Sequence, residues 1–114
     1  LRVDIDVLDP EVADILHAKV VALIPSSAPV LVRTGQPPKR AILFRANESF
    51  PKMATGRWES PDGRLHQVEV LADRQQVVVF GIHPETGAPY KWQAKGHVPW
   101  EIPRADLPVL TEEA

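Results

Sequence analysis

The chain contains no cysteine, which excludes a disulfide framework and a thiolate zinc site and points to a reducing, cytoplasmic setting. Bulk positive charge is missing too. Thirteen basic against fifteen acidic side chains leave a net charge of −2, so the protein does not coat duplex DNA through a broad field, and any nucleotide contact has to be local. No apolar run reaches the length that spans a bilayer, and no charged leader followed by an apolar stretch marks a secretory signal. Long helices have little room. Twelve prolines in 114 residues are about twice the usual share, and they favour a strand-rich reading.

What is present suits one small domain over residues 1–114: the chain is 44% apolar and 25% charged, enough for a single hydrophobic core. The sequence opens at Leu1, directly on a strand pattern and without an initiator methionine, so it is read as a truncated fragment of a larger domain.

That opening strand carries the first chemistry. In Arg2-Val3-Asp4-Ile5-Asp6-Val7 alternate side chains share a face, so Val3, Ile5 and Val7 enter a core while Asp4 and Asp6 point together to the other side. Two carboxylates so placed can present oxygen ligands to Mg²⁺ or Mn²⁺, although an isolated Asp-x-Asp is more often a solvated strand end. Asp9-Pro10-Glu11 then supplies an N-cap, a proline at the first helical position and an acid in the first turn. The helical period assigns Val12, Ile15, Leu16, Lys19, Val20 and Leu23 to the packed face. His17 is expected at the surface or boundary rather than as a ligand. Val30–Thr34 is a second strand, parallel to the first or one strand removed from it.

Next, Arg33-Thr34-Gly35-Gln36-Pro37-Pro38-Lys39-Arg40 surrounds a hydroxyl with three cations on a stiff loop. This is the chemistry of a phosphate site, and equally that of a solvated basic turn. Ala41–Arg45 follows as a strand antiparallel to its predecessor. Residues 46–64 are expected to form a long flexible loop or hairpin, anchored locally by Phe50, Met53 and Trp58. Leu65–Leu71 and Gln75–Gly81 make a hairpin pattern, in which Glu69 becomes a third candidate metal-facing carboxylate if its strand lies beside Arg2–Val7. Gly81-Ile82-His83-Pro84 through Thr86-Gly87 to Tyr90-Lys91-Trp92 gathers an imidazole, a hydroxyl and two large rings that suit phosphate or ribose bonding and base stacking.

In order, Val3–Val7, Arg33–Arg40, Val68–Leu71 with Gln75-Gln76, Gly81–Pro84 with Thr86-Gly87 and Tyr90-x-Trp92, and Asp106-Leu107-Pro108 resemble the primase-polymerase domain of phage and mobile-element replication proteins, within the archaeo-eukaryotic primase superfamily. The resemblance runs through nearly the whole chain. It implies an α+β fold with a central mixed, largely antiparallel sheet, a helix on one face and a primase-like catalytic core. It also implies a template-directed nucleotidyltransferase, a DNA primase and polymerase, that works with Mg²⁺ or Mn²⁺ held by Asp4, Asp6 and Glu69. Phosphates would meet Arg33, Thr34, Lys39, Arg40 and His83, with Tyr90 and Trp92 against a base or the template. The implied partners are nucleoside triphosphates, a single-stranded DNA template and a helicase module downstream, and no membrane. Where the superfamily usually has a phosphate-facing histidine, this chain has Arg33 and the Lys39-Arg40 pair. Arg74 stands where relatives carry a turn glycine. Two other classes stay open on the residues: a non-catalytic nucleotide or single-stranded DNA binding module, and a metal-dependent nuclease or phosphohydrolase.

Overall fold

Arg2–Asp6 has the alternation of a half-buried strand, and it forms β1 with Val3 and Ile5 buried and Arg2, Asp4 and Asp6 half-exposed. The computed structural model describes residues 2–25, 28–45, 52–59, 63, 65–71, 81–92, 102 and 104–110. Helix α1 (Pro10–Val21) starts where its residues dictate. The Asp9 carboxylate accepts the Glu11 and Val12 amides at 3.0 and 3.4 Å, and Pro10 stands in the first turn. Its buried face is rotated from the one the helical period assigned. Ala13 is fully buried, with Val12, Leu16, Val20 and Val21 against the core, whereas Ile15 and Leu23 are 51% and 50% exposed. A stripe at i, i+4 and i+8 drifts around a 3.6-residue helix, so one row of apolar positions docks and the neighbouring row turns to solvent.

The strands that follow are β2 (Val32–Thr34), β3 (Arg40–Leu43), β4 (Met53–Ala54), β5 (Trp58–Glu59), β6 (Leu65–Leu71) and β7 (Lys91–Trp92), with a 3-10 turn at Arg104–Asp106. The sheet order is β4-β6-β1-β3-β2-β7, with β5 also paired to β6. Every paired strand is antiparallel. The single parallel contact among the described residues is the isolated bridge Arg45↔Val109. Strand β2 lies one strand removed from β1, with β3 inserted between them, as the strand–helix–strand spacing allowed. The region 52–59 supplies two short strands along the outer edge of β6. Between them Thr55 completes the ladder, its amide donating to the Val68 carbonyl (2.8 Å) and its hydroxyl accepting from the Val68 amide (3.0 Å). The second strand of the expected hairpin, the Phe50 anchor and Arg74 lie outside the described residues.

One sheet face and α1 enclose the core of Val3, Ile5, Val7, Ala13, Val32, Ile42, Phe44 and Leu110. The C-terminal segment closes one end of it. The Arg45 amide donates to the Pro108 carbonyl, the Leu110 amide to the Arg45 carbonyl, and Arg45 Nε to the Leu107 carbonyl at 3.0 Å. Buried His66 accepts the Leu8 amide at Nδ1 (3.3 Å) and lies 5.7 Å from the Trp58 ring. Among the described residues no helix is long and apolar enough to cross a membrane. The opposite sheet face carries the polar side chains considered next.

Candidate functional site

The register of β1 against β6 places Asp4 opposite Glu69 and Asp6 opposite Gln67. Cross-strand partners share a face, so Asp4, Asp6 and Glu69 lie together on the side away from α1. On the other flank of β1, Asp4 pairs with Ala41, and Ala41 pairs with Arg33 on β2. Arg33 therefore joins the same face. Ala41, which stands between Asp4 and Arg33 in the register, is fully buried.

Beside these strands is a polar cleft of about 230 Å³, bordered by Asp4, Asp6, Arg33, Gly35, Gln36, Lys39, Arg40, His83, Glu85 and Tyr90. One wall of it is made by Arg33, Tyr90 and His83, the two rings tilted to one another. The Arg33 guanidinium sits 4.7 Å from the Tyr90 ring centroid, and Tyr90 lies 5.3 Å from His83. The wall turns at Gly87, whose φ of 66° favours glycine. The Gly87 amide donates to the His83 carbonyl and the His83 amide to the Ala88 carbonyl. The Glu85 amide donates to His83 Nδ1 (3.1 Å), so neutral His83 carries its proton on Nε2 and presents a donor there.

Gly35 is where this wall meets the phosphate-type loop. A Cβ there would fall 2.4 Å from Tyr90 Cε1 and 2.6 Å from His83 Cδ2. Gly35→Ala is expected to push both rings outward and destabilise the fold by about 1–3 kcal/mol. Urea denaturation of the two proteins measures this, and an unchanged midpoint would show that the rings yield freely.

Each carboxylate on the face is drawn to a cation. Lys39 Nζ lies 2.7 Å from Asp6 Oδ1, Lys52 Nζ lies 2.7 Å from Glu69, and Arg2 Nε lies 3.9 Å from Asp4. Gln67 also donates to Glu69 at 3.0 Å. Burial lifts the Asp4 carboxyl above the ordinary carboxylate range; Arg2 and Arg33 pull it down, while Asp6 and Glu69 push it further up. Asp6 Oδ1 is buried and makes no aligned hydrogen bond, so charge alone holds its lysine.

These features bear on whether a divalent ion fits. Among the described residues no three His, Asp or Glu side chains converge closely enough to chelate one ion. Three carboxylates nonetheless share one face, and burial opposes the ionised form of Asp4, a cost that a nearby cation would relieve. The donor set suits Mg²⁺ or Mn²⁺, and Asp4, Asp6 and Glu69 are the residues that would hold it once the lysines move aside.

The other sequence candidates divide between the two faces. Lys39 and His83 border the cleft with Arg33. Thr34 follows Arg33 in β2, so alternation turns it to the other face, and it does not border the cleft. Trp92 pairs with Arg33 and shares its face but stands outside the cleft, whereas Tyr90 lines it. Arg40 touches the cleft edge, yet its register with buried Ile5 turns its side chain toward α1. There its guanidinium meets Asp14 at 2.9 Å and His17 Nδ1 at 3.2 Å. Sequence reasoning missed Gln36 and Glu85 as lining residues. For Glu85 the available signal was its place two residues after His83 in a tight turn.

His17 is the boundary residue expected of it, and it carries a pH dependence. Burial depresses its pKa below the ordinary 6.5, Arg40 lowers it further and Asp14 opposes them. Above that value His17 is neutral in folded and unfolded chains alike. As pH falls through it, the unfolded chain takes up the proton first, so stability is lost until the depressed folded value is passed. His17→Gln is expected to flatten this loss in urea midpoints measured from neutral pH down to about 5; an equal loss in both proteins would assign it elsewhere.

Compared with family models, curated proteins and solved structures, the chain gives no match.

Proposed function

We propose that this domain is a nucleotidyltransferase core of the primase-polymerase kind, adding nucleoside triphosphates to a strand on a single-stranded DNA template. The observation that carries this reading is the β1–β6 register, which sets Asp4 against Glu69 with Asp6 on the same face, beside a cleft walled by Arg33, Lys39, His83 and Tyr90. The order of motifs along the chain supports the same reading.

In this reaction a 3′ oxygen attacks the α-phosphorus, the bond from that phosphorus to the bridging oxygen breaks, and pyrophosphate leaves. Divalent metal ions, when bound, supply Lewis-acid stabilisation of the attacking and leaving oxygens. The chain's own residues do the rest. Asp4, Asp6 and Glu69 would provide the oxygen ligands. Arg33 and Lys39 neutralise the triphosphate and the charge that develops on pyrophosphate, and His83 adds a hydrogen-bond donor at Nε2. Tyr90, held between Arg33 and His83, offers a ring against which a base or sugar can rest.

The test is primer synthesis on single-stranded DNA with deoxynucleoside triphosphates and Mn²⁺. Template-dependent products from the wild type and none from Asp6→Ala are expected. Triphosphate binding without incorporation would favour a binding module. Release of nucleotides from labelled DNA without added triphosphates would favour a nuclease using the same carboxylates.

A further inference from the structure

Arg40 stands next to Lys39 in a run of cations, and its charge suggests a second phosphate contact. Its geometry differs from that of a free ligand-binding side chain. The side chain is only 16% exposed, and its donors are directed inward. Nε donates to the Pro38 carbonyl (3.1 Å), Nη1 meets His17 Nδ1 (3.2 Å) and Nη2 donates to Asp14 Oδ1 (2.9 Å). One planar group thus ties three points together: two successive turns of α1 and the loop that carries Lys39. The loop has a bond of its own, from the Lys39 amide to the Gln36 carbonyl (2.9 Å). Beyond it, the Lys39 ammonium reaches Asp6 on β1.

We infer that Arg40 is a positioning residue: Asp14 and His17 on α1 act through it to fix the Gln36–Lys39 loop, and so set where the Lys39 charge stands over the carboxylate face. The loop's prolines cannot donate backbone hydrogen bonds, so few internal contacts hold it. A fork of donors from a rigid helix replaces them, and arginine alone among side chains supplies three directed donors in one plane. Lysine at this position keeps the charge but cannot span the three acceptors. The consequence for substrate is specific: Asp14 and His17 tune triphosphate affinity without touching the triphosphate. That consequence rests on the proposed function, whereas the strut itself does not.

The experiment has two arms. In the first, without any ligand, amide hydrogen exchange is followed in the wild type, Asp14→Asn, His17→Gln and Arg40→Lys. Asp14 is 71% exposed, so its replacement leaves the core intact. Asp14→Asn and Arg40→Lys are expected to speed exchange of the Lys39 amide about tenfold, the loss of one charge-assisted bond, while the Ile5 and Ile42 amides are unchanged. Unchanged exchange at Lys39, or equal acceleration at the core amides, would overturn the strut. In the second arm, binding of a deoxynucleoside triphosphate with Mn²⁺ is compared in Asp14→Asn, Lys39→Ala and the double variant. Asp14→Asn is expected to weaken binding about five- to tenfold, with no further weakening in the Lys39→Ala background. Additive losses would overturn action through Lys39. Near-wild-type affinity in Arg40→Lys would mark Arg40 as a direct phosphate contact and overturn the inference. A wild type that binds no triphosphate would defeat the proposed function, and the exchange arm would still decide the strut.

Discussion

Asp4→Asn is expected to abolish templated incorporation, lowering it by about 10³-fold or more, while making the protein more resistant to heat. The two effects share one cause. Asp4 lies between Asp6 on its own strand and Glu69 directly across, half-buried, and burial is the largest factor lifting its pKa. At neutral pH the folded chain therefore carries a charge that the fold opposes. The amide keeps the shape and removes that charge. The sign follows from the direction of the shift. Ionised Asp4 costs stability in full above its raised folded pKa; the cost shrinks as pH falls from that value toward the ordinary 3.8 and is gone below it, where the residue is protonated in folded and unfolded chains alike. In chelator at neutral pH, Asp4→Asn should melt a few degrees above the wild type, and the difference should close in strong acid. Loss of activity accompanied by loss of stability would instead make Asp4 a structural acid held by Arg2.

Lys39→Ala is expected to weaken triphosphate binding about 10- to 100-fold, the worth of one to two charge-assisted contacts, with a much smaller change in turnover. Lys39 borders the same cleft as Arg33, and its ammonium already sits against Asp6. Metal binding by Asp6 would displace that ammonium, leaving it free beside Arg33 for the phosphates. The expected kinetic signature is a raised KM with kcat nearly constant. A fall in kcat with constant KM would place Lys39 at the leaving group alone.

The sequence made one face of the site legible because strand alternation is rigid. Asp4 and Asp6 had to point together once Val3, Ile5 and Val7 were buried, and Glu69 joined them because β6 lies beside β1. The sheet and its helix were legible for the same reason, from alternation and from the Asp9-Pro10-Glu11 start. Other features depended on register that short-range pattern cannot give. Arg40 looked like Lys39 in charge, but Arg40 opens β3 in register with buried Ile5 and turns to Asp14 and His17 on α1, whereas Lys39, in the loop before the strand, reaches Asp6. Ile15 fits the helical period yet turns to solvent, because only tertiary docking decides which of two adjacent apolar rows is covered, and Leu23 lies in the turn past the end of α1. The strands at Met53–Ala54 and Trp58–Glu59 are too short to show a period. Lys52 was visible as a charge, but its partner Glu69 appears only when β4 is laid along β6.

Calorimetric titration of a deoxynucleoside triphosphate into the protein with Mn²⁺, repeated on Asp6→Ala and without metal, tests the carboxylate site most directly. Binding that requires Mn²⁺ and disappears in Asp6→Ala is the expected result. Equal binding by both proteins, or binding indifferent to Mn²⁺, would contradict the assignment of Asp4, Asp6 and Glu69 as the residues that hold the metal.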